Sequence, residues 1–280
     1  MKIKILEKDD NKLLFAVQGI DLAVANALRR AMIAEVPSMA IEDVIIIENS
    51  SIMADEILSH RLGLIPLKTD LDSYVLREKC DCKSELGCGK CNVTLTLEAE
   101  ATDSTRTVYS KEMKSNDPIV IPVSGEIPIL KLARSQKVRL EAYARLGRGS
   151  EHAKWQPVSV CVVRSSSRVT IDRKKCDSCE KCVKECPKQI LNIEGGRVEI
   201  VDYEKCNSCK QCIESCPKDA IKVEDNEDTF IFNIESTGVL PPERIFTGAI
   251  EILKEKAQEL IGHVSELKSE EEEDEKKTEP

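Results

Sequence analysis

The chain has 280 residues, of which 41 are basic and 50 acidic, so its formal net charge is −9; 41% are apolar and 32% charged. These figures suit two or three globular domains and speak against a free-standing nucleic-acid binder, which usually carries a basic field. No run approaches the roughly 18 apolar residues of a membrane span, and MKIKILEKDD lacks the apolar core of a signal peptide, so a cytoplasmic location is expected.

In chain order, KIKILEK reads as an opening strand, followed by a second apolar run at Leu14-Phe15-Ala16-Val17. Asp21 is a suitable N-cap for a helix on which Leu22, Ala25, Leu28 and Met32 recur, with Pro37 closing it. Arg29 and Arg30 lie just outside that stripe. Val44-Ile45-Ile46-Ile47 reads as a buried strand, and residues 51–65 as a helix ending at Gly63. From 67 to 164 the pattern is mostly β: Val93, Leu95, Leu97 and Ala99 alternate with polar residues, and 119–121 and 138–143 read similarly. Phe230, Phe232 and Ile234 alternate as a strand. Pro241-Pro242 opens a long helix with an apolar seam at Phe246, Ala249, Leu253, Ala257, Leu260 and Val264. Residues 266–280 hold eight acids and three bases and read as a solvated, disordered tail. The fold class expected is α+β.

Thirteen cysteines are the informative part of the composition. Eight form Cys176-x2-Cys179-x2-Cys182-x3-Cys186-Pro187 and its copy Cys206-x2-Cys209-x2-Cys212-x3-Cys216-Pro217, displaced by 30 residues. A C-x2-C-x2-C turn brings three thiolates to one cubane, and the fourth cysteine of each copy serves the other cluster. The expected sets are Cys176, Cys179, Cys182 and Cys216 for the first [4Fe-4S] cluster, and Cys206, Cys209, Cys212 and Cys186 for the second. The motif resembles bacterial-type two-cluster ferredoxins over about 55 residues, with all eight ligands present. Structural zinc and cysteines retained as small apolar residues are the competing readings, but zinc favours two C-x2-C pairs over this triplet. A module this short and charged depends on its metal to fold.

Cys80-x-Cys82-x5-Cys88-x2-Cys91 puts four more thiols in a loop with Gly87 and Gly89. They can close a tetrahedral, structural Zn²⁺ site; a third iron–sulfur centre and uncommitted thiols are the alternatives. Cys161 sits in an apolar run and reads as core. No phosphate loop, zinc-protease, nucleophile-elbow or dinucleotide fingerprint occurs. His60, His152 and His263 are scattered, so no catalytic residue is assigned.

Outside the repeat, three segments carry a resemblance. They are Asn26-Ala27-Leu28-Arg29-Arg30-Ala31-Met32 with Ala34 through Ala40; Asp55-Glu56 with His60-Arg61-Leu62-Gly63-Leu64-Ile65-Pro66-Leu67; and Ala144-Arg145-Leu146-Gly147 with Glu151 through Pro157. Together they resemble the α-like assembly subunits of cellular RNA polymerases, and the two-cluster insert is similar to the archaeal D-type branch of that family, notably its methanogen form. The resemblance implies a dimerisation domain split between 1–50 and 225–265 and a β-rich insertion domain at 51–164 with the Cys-rich loop 80–91. The ferredoxin-like domain occupies 165–224. It implies pairing with a smaller, L-like member of the α-like class, recruitment of two small subunits (N- and P-like), and docking on the two largest subunits. DNA and RNA are met only through the whole enzyme, with no membrane contact. The chain would then share in a nucleotidyltransferase without catalytic residues of its own, and its clusters would stabilise or regulate assembly. Interface residues implied are Arg30, Phe246, Leu253 and Leu260. An electron-transfer protein, or a subunit of a redox enzyme, is the competing class.

Overall fold

The computed structural model describes residues 1–278 except Lys83 and Glu85, with side chains as far as Glu266. Contacts gather the chain into two compact units, Met1–Arg29 with Cys161–Ile234, and Arg30–Val160 with Glu235–Pro280. Among the described residues no helix is long and apolar enough to cross a membrane.

The first unit is built on a sheet of order β1-β2-β12-β9. Strands β1 (Lys2–Lys8) and β2 (Lys12–Gln18) form an antiparallel hairpin, and β9 (Val158–Ile171) and β12 (Ile221–Ser236) are long strands that enter this unit from the other. Alternation buries Phe15 and Val17 of β2 and Phe230, Phe232 and Ile234 of β12. The Phe15 and Phe232 rings stack at 5.2 Å with an interplanar angle of 9°, an arrangement worth roughly 0.5–1.5 kcal/mol beyond area burial. Gly19, at φ +85°, turns the chain out of β2, its N–H bonded to the Asp228 carbonyl at 2.8 Å. Helix α1 (Leu22–Ala34) follows, capped as the sequence suggests: Asp21 Oδ1 accepts the Val24 N–H at 2.7 Å. Of its apolar stripe, Ala25, Leu28 and Met32 are buried while Leu22 is 62% exposed.

Between β9 and β12 the chain makes two short cysteine-bearing helices, α3 (Lys181–Glu185) and α4 (Gln211–Glu214), and the hairpin β10 (Leu191–Glu194) with β11 (Arg197–Ile200). Gly195 and Gly196 both adopt positive φ, as a two-residue hairpin turn requires. A small core of Val169, Ile190, Leu191, Val198 and Ile221 includes Cys182, Cys206 and Cys212.

The second unit has a four-stranded antiparallel sheet, β3 (Ser38–Asn49), β8 (Lys137–Gly147), β4 (Asn92–Glu100) and β6 (Lys114–Ser115), in that order. A ribbon of β5 (Arg106–Tyr109) and β7 (Pro128–Leu132) accompanies it, and α2 (Asp55–Gly63) contributes Leu58 and Leu62 to the same core. The period-2 residues Val93, Leu95, Leu97 and Ala99 all face inward.

Two sequence readings are corrected here. Val44–Ile47 is not a buried strand: Ile45 and Ile47 are 44% and 51% exposed, because only one face of this half of β3 is covered, and the buried stretch is Ser38–Ile41. Residues 119–121 form no strand. Pro118 and Pro122 flank them and remove ladder donors, and Asp117 Oδ1 instead turns the chain by accepting the Ile119 N–H at 2.7 Å. Helix α5 (Pro242–Thr278) begins at the expected proline and extends into the acidic stretch 266–280, where Glu and Lys are good helix formers. The side chains of that stretch beyond Glu266 lie outside the described residues.

Candidate metal centres

The two cysteine repeats fold alike. Asp172 Oδ1 accepts the Lys174 N–H at 2.9 Å, and 30 residues on Asp202 Oδ1 accepts the Glu204 N–H at 3.0 Å. Left-handed residues recur in the same register: Ser178 (φ 56°) with Ser208 (55°), Glu180 (64°) with Lys210 (63°), and Gln189 (50°) with Asp219 (48°). None is glycine, so these conformations are uncommon. A backbone bent this way makes a nest of N–H groups, a concavity suited to an anionic iron–sulfur centre.

Cys176, Cys179, Cys182 and Cys216 line one small cavity whose remaining wall includes Ile171, Val198 and Ile221. Cys216 belongs to the second motif, so the sequence's crossed set is the one brought together. Burial raises the Cys182 thiol pKa, and the charges of Cys176, Cys216 and Cys179 raise it further. The other set is equally crossed. Cys212 is pushed up to about 11, first by burial and then by Cys186, Cys206 and Cys209. Cys179 and Cys209 are exposed, whereas Cys182, Cys206 and Cys212 are buried. Four soft thiol donors around the apolar-walled first space fit a [4Fe-4S] cubane. The second set repeats the same donors and backbone bends, and the nest geometry fits the charge of such a centre.

The loop of the second unit has a different scale. The sulfurs of Cys80, Cys82, Cys88 and Cys91 all lie within 4.8 Å of one another. Individual separations are 3.7 Å for Cys80–Cys88, 3.5 Å for Cys82–Cys91 and 3.9 Å for Cys88–Cys91. Zn–S bonds of about 2.3 Å at tetrahedral angles place sulfurs about 3.8 Å apart, so the donors fit one Zn²⁺ with no open position. The Lys90 N–H, followed by the Cys82 thiol, lowers the Cys88 thiol to about 7, toward the thiolate, whereas Cys80, Cys82 and Cys91 are raised, Cys91 first by burial. Gly87, at φ +85°, allows the loop to close; a β-carbon there would stand 3.1 Å from Cys91 Sγ. Cys161 is only half-buried, its Sγ 3.8 Å from the Arg29 carbonyl, and stands apart from these sets.

The proposed interface residues fall into different environments. Arg30 is exposed on α1. On α5, Phe246 is 9% exposed and belongs to the core, Leu253 is half-buried, and Leu260 is 64% exposed. The seam is therefore core at its start and uncovered from Ala257 onward, with Ile261 and Val264 also exposed.

Sequence reasoning overlooked Arg164. This half-buried residue of β9 donates to the Cys206 carbonyl at 2.6 Å and to the Glu204 carbonyl at 2.5 Å. A lone arginine within Val162-Val163-Arg164-Ser165 carries no motif; its place on a strand that runs toward the cysteine repeat was the available signal.

The RNA polymerase Rpb3/Rpb11 dimerisation domain matches residues 14–257. The chain is 44% identical over 270 residues to DNA-directed RNA polymerase subunit Rpo3 of Methanosphaera stadtmanae, covering 95% of this chain and 99% of that protein. It is 41% identical over 266 residues to subunit Rpo3 of Archaeoglobus fulgidus, covering 95% and 98%. It is also 37% identical over 289 residues to DNA-directed RNA polymerase II subunit rpb3 of Dictyostelium discoideum, covering 95% of each. With its α+β architecture and a match extending through both units, the chain belongs to the Rpb3/Rpb11-type family of RNA polymerase subunits.

Proposed function

We propose that this chain is a non-catalytic assembly subunit of a cytoplasmic DNA-directed RNA polymerase, in the manner of the archaeal α-like subunits. The observation that carries the reading is the full-length similarity to subunits named Rpo3. In this reading residues 1–50 and 225–265 form the dimerisation domain, 51–164 the β-rich insertion domain and 165–224 the ferredoxin-like domain. The exposed half of the α5 seam receives the smaller, L-like partner by burying Leu260, Ile261 and Val264. Arg30, exposed on α1, contacts the second-largest subunit. The N- and P-like subunits and the largest subunit complete the assembly, and DNA and RNA are reached only there.

The crossed thiol sets hold two [4Fe-4S] clusters, and Cys80, Cys82, Cys88 and Cys91 hold one Zn²⁺. When bound, each metal centre supplies cross-links among thiolates and so adds folding free energy. The chain's own part is to gather the thiols in their sets, to wall the first site with apolar side chains and to bend the backbone of each loop around them. The clusters thereby stabilise the module and make its state sensitive to iron supply.

The test is affinity purification of the tagged full-length chain under anaerobic conditions. The expected result is recovery of the other polymerase subunits and DNA-dependent RNA synthesis in the same fraction. Recovery with an oxidoreductase alone would overturn the reading in favour of electron transfer.

A further inference from the structure

The two cysteine loops are near copies in sequence and backbone, yet the sheet of the first unit treats them differently. Four side-chain interactions tie the second loop to that sheet. Arg164 of β9 forks onto the Cys206 and Glu204 carbonyls at 2.6 and 2.5 Å. Ser167 of β9, 3% exposed, meets Ser208 Oγ at 2.6 Å. Ser208 Oγ in turn donates to Asp225 Oδ1 of β12 at 3.0 Å. Lys4 of β1 pairs with Glu204 at 2.8 Å. The corresponding carbonyls of the first loop are those of Cys176 and Lys174. Among the described residues no side-chain hydrogen bond reaches either of them.

Of the four ties the arginine fork is the strong one. Two charge-assisted hydrogen bonds from one planar group fix both position and orientation, and the group is half-buried, so solvent screens it little. The Lys4 pair is exposed and contributes little. Cys206, whose carbonyl the fork holds, is the buried first cysteine of its motif.

We propose that Arg164 is the positioning residue of the second cysteine site, fastening the Cys206 loop to β9 by a side-chain fork that the first loop, which continues directly from β9, does not have. The proposal rests on the reading of the two thiol sets as iron–sulfur sites. Outer-shell groups that orient ligands commonly govern how firmly a metal is kept. The two sites therefore differ in lability, although their ligand motifs are the same.

The experiment follows iron release from anaerobically purified full-length protein to a coloured ferrous chelator. Wild type should contain about eight irons from two [4Fe-4S] clusters; a chain that binds none refutes the cluster reading itself, whatever Arg164 does. Given iron-replete wild type, Arg164→Gln should release about half of its iron several-fold faster and the rest at the wild-type rate. Arg164→Lys, which keeps the charge but cannot fork, should fall between them. The site is identified by pairing the substitution with the loss of one cluster. In a Cys179→Ser background, where the second site remains, Arg164→Gln should accelerate release. In a Cys209→Ser background, where the first remains, it should leave the rate unchanged. Arg173→Gln, which removes an exposed 3.6 Å pair with Glu199, is the control expected to do nothing. Equal acceleration in both backgrounds would make Arg164 a general stabiliser of the fold, and no acceleration in either would remove its role; either result overturns the proposal.

Discussion

A β-carbon placed on Gly147 would stand 2.4 Å from Cε2 of Trp155. The indole, 2% exposed, lies flat against the backbone at the end of β8, and its Nε1 donates to the Arg145 carbonyl at 3.2 Å. Arg145 and Lys154 sit over the ring, 4.7 and 4.4 Å from its centroid. The Trp155 carbonyl accepts from Ser38 Oγ at 2.8 Å, joining the motif to the start of β3. Gly147→Ala should therefore destabilise the second unit by about 1–3 kcal/mol, the range for overpacking a filled site. Trp155 is the chain's only tryptophan, so the urea dependence of its fluorescence measures this unit directly, and an unchanged midpoint would contradict the packing argument.

Glu42 joins the same cluster, pairing with Lys154 and, at 3.3 Å, with Arg145. Burial opposes its ionisation, but the hydrogen bond from Lys154 and the charges of Lys154 and Arg145 outweigh it and lower the pKa below 4.5. A depressed carboxylate pKa contributes stability above the unfolded value and loses it as the pH falls through the native one. Glu42→Gln should cost on the order of 1 kcal/mol near neutrality, allowing for solvent access. The difference from wild type should shrink as the pH falls below the ordinary carboxylate value and close once Glu42 is protonated in the native state. Tryptophan fluorescence across that range gives the comparison, and a gap that widens toward acid would reverse the sign assigned here.

The Cys80–Cys91 loop should bind one Zn²⁺ per chain, measurable by elemental analysis after iron is accounted for. Cys91→Ser removes the buried donor and should abolish retention through gel filtration. Gly87→Ala leaves all four thiols but adds strain at φ +85° and a contact 3.1 Å from Cys91 Sγ. It should weaken zinc retention against a chelator without changing the stoichiometry when zinc is in excess. Full retention by Cys91→Ser would exclude a four-thiolate site.

Crossed ligation makes an unusual demand on single substitutions. Cys186→Ser alters the first motif but should damage the second cluster, and Cys216→Ser should do the opposite. Each variant should retain about four irons, and the cluster remaining in Cys186→Ser should match the one in Cys209→Ser by paramagnetic resonance after reduction. Matching Cys179→Ser instead would refute the crossed sets.

On α5 the outcome depends on position along the helix. Leu260→Asp alters a side chain that is 64% exposed, so the isolated chain should change by no more than about 0.5 kcal/mol. Capture of the α-like partner should nevertheless be lost, because the charge would be buried at the contact. Phe246→Asp puts a charge into the core at a cost of several kcal/mol and should unfold the second unit before any partner is added. Undiminished capture by Leu260→Asp would move the interface off this seam.

What the sequence determined by itself is what local spacing controls. Two C-x2-C-x2-C turns, the Asp21 cap, the alternation of β4 and the proline-started α5 all rest on residues within a few positions of one another. The motif, with a fourth cysteine following each triplet at a fixed interval, led to the expectation of crossed sets, and Cys216 does line the cavity of the first triplet. Tertiary structure decided the rest. Val44–Ile47 has the composition of a buried strand, yet only packing selects which face is covered. Phe246 and Leu260 share one seam and one periodicity, but the core ends between them. Arg164 lies 42 residues from Cys206 and Gly147 eight from Trp155; neither pair has a pattern of its own. Their contacts arise because long antiparallel strands and closed loops bring distant backbone carbonyls and rings within reach, and hydrogen bonding and close packing act on distance in space, not along the chain.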